Sequence, residues 1–68
     1  MTITLNGEEQ SYKDIETLTV EELVAKLDLG PQPVLVELDG EAIYAREFPE
    51  KSVSDGSVVE VVRMVAGG

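Results

Sequence analysis

Leu18-Thr19-Val20-Glu21-Glu22-Leu23 carries the strongest local signal in the chain. The Thr19 hydroxyl can accept a hydrogen bond from the Glu22 backbone while the Glu22 carboxylate reaches back to Thr19, and Leu18 can staple onto Leu23. A helix starts here. Val20, Leu23, Val24 and Leu27 then recur at i, i+3, i+4 and i+7, an apolar stripe one helix face wide, with Glu21, Glu22 and Lys26 away from it. Glu22 and Lys26 can pair at i,i+4, worth ~0.2–0.5 kcal/mol in an isolated helix. Gly30 and Pro31 are expected to stop the helix, the first as a left-handed cap and the second because it cannot continue the ladder. The result is a helix of about ten residues, an ordinary length.

Both flanks of this helix read as strands. Upstream, Thr2-Ile3-Thr4-Leu5 alternates, placing Ile3 and Leu5 on one face, and Asn6-Gly7 is the dipeptide preferred by a two-residue type I′ hairpin. The returning strand runs through Glu9-Gln10-Ser11-Tyr12, and Lys13-Asp14-Ile15-Glu16-Thr17 is a polar connection into the helix. Downstream, Val34-Leu35-Val36-Glu37-Leu38 turns through Asp39-Gly40 into Glu41-Ala42-Ile43-Tyr44. Arg46-Glu47-Phe48-Pro49-Glu50-Lys51 is irregular, with Phe48 plugging one end of the core, and Ser54-Asp55-Gly56-Ser57 turns the chain into a last strand over Val58–Met64.

Alternation assigns faces to that last strand. Glu60 belongs in solvent, which sends Val59 and Val61 to the core and leaves Val58, Val62 and Met64 outside. Leu35 also falls outside. If the strand at Val34–Leu38 neighbours the last one, Leu35, Val62 and Met64 form an exposed apolar patch, a possible docking surface. Strand, strand, helix, strand, short strand, strand describes an α+β domain: one mixed sheet of four to five strands with a single helix on one face, the β-grasp arrangement.

Val65-Ala66-Gly67-Gly68 follows the last strand, and its two glycines have little packing to contribute. Lacking a Cβ, glycine suits a backbone that enters a narrow channel. Residues 65–68 are expected to be an extended flexible tail on a single domain spanning 1–68, its carboxylate on Gly68 serving as a hand-over group.

Composition narrows the function. The chain has 68 residues with no Cys and no His, so it lacks disulfides, thiol chemistry and the commonest general base and metal ligand. No metal site and no self-contained catalysis are expected. Five Lys and Arg against fourteen Asp and Glu give a net charge of −9, which repels nucleic acid and favours a basic protein surface as partner. A hydrophobic content of 43% is too high for a disordered acidic tail, and no apolar run approaches membrane-spanning length. A cytoplasmic globule, monomeric when free, is the expectation.

Asn6-Gly7-Glu8, Thr19-Val20-Glu21-Glu22-Leu23, Val36-Glu37-Leu38-Asp39-Gly40-Glu41, Asp55-Gly56-Ser57-Val58-Val59-Glu60-Val61-Val62 and Gly67-Gly68 together resemble the ubiquitin-like sulfur carriers, and within them the ThiS family of the thiamine pathway. Tyr44-Ala45-Arg46 stands where many members have a Pro-Arg-Ser type stretch, so no role is carried over onto Arg46. The resemblance implies a protein co-substrate rather than an enzyme, with no bound cofactor. A ThiF-like adenylyltransferase would use ATP to convert the Gly68 carboxylate to an acyl adenylate, and a sulfur donor system would then replace AMP to give a thiocarboxylate. Gly67, Ala66 and Val65 would occupy the partner's channel, and a ThiG-like thiazole synthase would receive the sulfur. The alternatives are a molybdopterin-type or other sulfur carrier, a ubiquitin-like modifier that joins Gly68 to protein amines, and an interaction domain with an inert tail.

Overall fold

In a computed structural model, which describes residues 1–64, the helix lies against a mixed sheet. The expectations for Val65, Ala66, Gly67 and Gly68 lie outside the described residues. The elements are β1 (Thr2–Leu5), β2 (Glu8–Ser11), β3 (Thr17–Thr19), α1 (Val20–Leu27), β4 (Val34–Leu38), β5 (Glu41–Ile43), a 3₁₀ turn (Ala45–Glu47), β6 (Ser52–Ser54) and β7 (Val58–Arg63). The main sheet has the order β2-β1-β7-β4-β5, with β1 and β7 parallel and every other pair antiparallel. The β-grasp expectation holds, and the sheet has five strands.

The two hairpins form where the Asn-Gly and Asp-Gly pairs predict them. Asn6 and Gly7 have φ of 50° and 82°, Asp39 and Gly40 of 50° and 84°, the left-handed values a type I′ turn demands. Asn6 does more than turn the chain. Its amide donates to the Val61 carbonyl at 3.1 Å and accepts from the Val61 N–H at 2.8 Å, so a side chain continues the ladder between β1 and β7 after the backbone of β1 has turned away. Asp39 does half as much, accepting from the Val58 N–H at 2.9 Å while its own N–H donates to the Val58 carbonyl at 2.7 Å.

At the start of α1 the capping box is complete: the Glu22 N–H donates to the Thr19 hydroxyl at 3.0 Å, and the Thr19 N–H donates to the Glu22 carboxylate at 2.9 Å. The bonds from Thr19, backbone first and hydroxyl second, hold the Glu22 carboxyl below its ordinary value of 4.5. A depressed folded value means that the cap's contribution is fully present above 4.5 and fades as pH falls through the lowered value.

The helix ends earlier than its sequence suggests. It has eight residues, and the left-handed cap is Asp28, at φ 50° and ψ 55°, rather than Gly30. Asp tolerates this conformation better than most residues with a Cβ. Gly30, at φ 86°, bends the loop that follows.

A second correction concerns the connections. Thr17–Thr19 and Ser52–Ser54 pair antiparallel as a separate two-stranded ribbon, with Leu18 opposite Val53. Thr17 and Ser54, expected in a connection and a turn, are therefore ladder residues. Tyr12 and Tyr44 fall just outside their strands.

The core is apolar and shared by both sheets and the helix: Ile3, Leu5, Leu18, Val20, Leu23, Val36, Ile43, Val53, Val59 and Val61 are buried. Phe48 is half-buried against this cluster, at its margin, where the sequence places it. Among the described residues no buried polar side-chain atom lacks a hydrogen-bond partner. Such satisfaction matters here, because a chain of this size buries only about 60% of its unfolded surface and has little stability to lose.

Candidate functional site

β7 ends beside an exposed apolar row. Alternation along β7 buries Val59 and Val61 and leaves Val58, Val62 and, one step further, Met64 outside. β4 pairs with β7 so that Leu35 lies directly opposite Val62. The three residues expected to form a patch do come together, Leu35 at 58%, Val62 at 56% and Met64 at 47% exposure. Their exposure is built into the pleat, because a one-residue slip would bury them and expose Val36 and Val61 instead.

Sequence reading missed one member of this row. Ile43, the last residue of β5, pairs with Val36, so the next step of the register sets Tyr44 beside Leu35 on the outer face. Tyr44 is 62% exposed, and the Arg46 guanidinium stacks over its ring at 5.0 Å from the centroid, a cation–π arrangement. Tyr44, Leu35 and Val62 thus run across three chain segments. Alternation in Glu41-Ala42-Ile43-Tyr44 carried the signal, since Tyr44 shares the parity of Ala42.

The row has an acidic flank. One register step further along β4 and β7 on the same face, Glu37 lies directly opposite Glu60. Like charges directly opposite on a sheet oppose pairing.

The root of residues 65–68 is fixed by two contacts. The Met64 N–H donates to the Pro33 carbonyl at 2.8 Å, extending the β4–β7 ladder by one bond beyond the strand. The Arg63 guanidinium reaches the Leu29 carbonyl at 3.5 Å on the other side of the sheet. Among the described residues no group of His, Cys, Asp or Glu could hold a metal ion, and no helix is long and apolar enough to cross a membrane.

A domain whose last strand is the middle of a mixed sheet, gripping one helix, is of the ubiquitin-like β-grasp class. More narrowly, the chain belongs to the ThiS family, whose model matches residues 3–68. It is 35% identical over 66 residues to the sulfur carrier protein ThiS of Thermus thermophilus, with 97% of this chain and 98% of that protein covered. The crystal structure of the thiamine biosynthesis protein ThiS from Geobacter metallireducens superposes with a TM-score of 0.87 at 35% identity, covering 100% of both chains. A thiazole synthase of Paramagnetospirillum magneticum contains a stretch 31% identical over 68 residues, so the chain spans 20% of that longer protein.

Proposed function

We propose that this chain is a sulfur carrier of thiamine biosynthesis that bears sulfur as a thiocarboxylate on Gly68. The observation that carries the reading is the span of the family match, which runs to residue 68 and so takes in Gly67-Gly68. The sequence holds no Cys, so sulfur cannot travel on it as a cysteine persulfide, which supports a carboxyl group as its attachment point.

The chemistry divides into three transfers. The Gly68 carboxylate attacks the α-phosphorus of ATP held by a ThiF-like adenylyltransferase, forming an acyl–phosphate bond and releasing pyrophosphate. Hydrosulfide from the donor system then attacks the acyl carbon, AMP leaves, and a proton is lost. The resulting thiocarboxylate is ionised at neutral pH and nucleophilic, so its sulfur adds to an electrophilic carbonyl or imine carbon on a ThiG-like thiazole synthase, the π-bond electrons moving to the oxygen or nitrogen, which takes up a proton. Hydrolysis of the acyl–sulfur bond returns the Gly68 carboxylate. This chain supplies no general acid or base to any step and is a co-substrate, not an enzyme. Gly67, with no Cβ, and the small Ala66 allow a narrow channel to close around them. A thiazole synthase that itself contains a stretch like this chain supports that class of enzyme as receiver.

The deciding experiment is the intact mass of the chain after incubation with a ThiF-like adenylyltransferase, ATP and a sulfide source. A gain that matches replacement of one terminal oxygen by sulfur is expected. No gain with an active partner ends the thiocarboxylate reading.

Leu35, Val62, Met64 and Tyr44 form the surface that docks on the adenylyltransferase. Val62→Asp places a carboxylate in the middle of the row and is expected to weaken that binding roughly tenfold or more, as for a central interface residue. Because Val62 is exposed, the domain should stay folded with the circular dichroism spectrum of the parent, its melting midpoint lowered modestly by a carboxylate beside Glu60 and Glu37. Unchanged affinity in a titration would remove the row from the interface.

A further inference from the structure

Asn6-Gly7 and Asp39-Gly40 make the same kind of turn, yet only the first uses an amide. Their neighbours on β7 give the reason. The Val58 carbonyl is met by the Asp39 backbone N–H at 2.7 Å, so the Asp39 side chain has only to accept from the Val58 N–H, and a carboxylate suffices. The Asn6 backbone N–H is taken by the Val59 carbonyl at 2.9 Å. The Val61 carbonyl therefore depends on the Asn6 side-chain amide, at 3.1 Å, while the Val61 N–H donates to the oxygen of the same side chain at 2.8 Å. Position 6 needs a donor and an acceptor on one side chain, which an amide has and a carboxylate lacks.

The residue that follows makes this amide reactive. Gly7 is set at φ 82° by the turn, and a Cβ there would meet nothing within 4 Å, so its backbone nitrogen is shielded neither by a side chain of its own nor by a neighbour's. Such a nitrogen can attack Cγ of the preceding Asn. A C–N bond forms, the Gly7 proton passes to the departing amide nitrogen, and ammonia leaves a succinimide ring. Water then opens the ring at either carbonyl and gives aspartate or isoaspartate at position 6. The net change is OH in place of NH2, with solvent water as the only co-reactant.

We propose that Asn6 is a deamidation site that the fold keeps closed. While β7 is in the sheet, the two bonds to Val61 hold the carboxamide and keep its Cγ from turning onto the Gly7 nitrogen. Once β7 leaves the sheet, the ring can close. The change is one-way in its consequences. A carboxylate at position 6 still accepts from the Val61 N–H, but its second oxygen faces the Val61 carbonyl, which loses its donor. Isoaspartate also adds a methylene to the backbone of a two-residue turn whose geometry fixes the register of β1 and β2. Val62 follows Val61 on the same strand, so the lesion loosens the strand from which the outer row projects. The inference does not depend on the sulfur chemistry.

The test is peptide mass spectrometry of the full chain aged in one near-neutral buffer with and without denaturing guanidinium chloride. Asn6 is the single Asn of the sequence, so the exchange of NH2 for OH is followed in the tryptic peptide of residues 1–13 and located by fragmentation. It is expected to run roughly tenfold or more faster in the unfolded chain, as the loss of two hydrogen bonds implies. Equal rates in the two buffers, or no exchange in the unfolded chain, would overturn the proposal. The product is tested separately with Asn6→Asp beside Asp39→Asn. The first is expected to melt below the parent and the second close to it, because Asp39 only accepts. Asn6→Asp melting with the parent would remove the one-way consequence. No partner is needed, so these outcomes and the intact-mass result stand or fall separately.

Discussion

A chain lacking Gly67 and Gly68 is expected to show no sulfur loading at all, with its fold and melting midpoint unchanged. The acyl group that accepts adenylate is gone, and a new carboxylate on Ala66 would lie two residues short of the reacting phosphate, about 7 Å at extended-chain spacing. Misplacement on that scale is far larger than the ~1 Å error that already costs orders of magnitude in a positioned reaction. The core contributes nothing to the loss, because its last buried member is Val61 and the ladder's last described bond is that of Met64. Mass spectrometry of the truncated chain, run beside the parent with the same adenylyltransferase, reads the result directly. Retained sulfur transfer would mean that the hand-over group lies elsewhere, and the inert-tail reading would take over.

The second large effect is on stability. Leu23 is fully buried at the centre of the α1 stripe, and Leu23→Ala is expected to cost ~2–5 kcal/mol through lost transfer energy and the cavity left behind. Native domains have only about 5–15 kcal/mol in total, and small ones lie toward the lower end. A fall in melting midpoint of at least about 8 °C follows for a domain of this size. Urea denaturation followed by circular dichroism measures it. A loss below ~1 kcal/mol would show that the helix is not held by its stripe, and that the capping box and ribbon carry more than burial suggests.

Signals confined to a few neighbouring residues were legible. The capping box at Thr19 and Glu22, the Asn6-Gly7 and Asp39-Gly40 turns, and the alternation through Val58–Met64 each rest on contacts within a turn or on the pleat itself. Together they were enough to give the β-grasp order and the outer positions of Leu35, Val62 and Met64. What escaped depends on distant partners. The ribbon joins Thr17–Thr19 to Ser52–Ser54, and three residues on each side are too few to display a period. Asn6 reads as a turn residue from its neighbours, whereas its amide is spent on Val61, far along the chain. Asp28 took the cap from Gly30 because an acidic residue in the left-handed region is a weak signal beside a glycine. For the candidate site, the apolar row was legible, and its Tyr44 end was missed although the Asp39-Gly40 hairpin and the shared parity of Ala42 and Tyr44 carried the signal. Gly67-Gly68 was legible as composition, and its chemistry only through resemblance.

The strand order has a consequence in time. Among the described strands β7 comes last along the chain, yet it lies between β1, the first, and β4. A nascent chain that has reached only Ser57 therefore holds two hairpins and a helix with the middle of their sheet missing. Pairing ends so far apart in sequence is a slow, non-local step. A ribosome that stalls before Val58 releases no smaller domain but an unfinished one with open strand edges, the kind of species that aggregates.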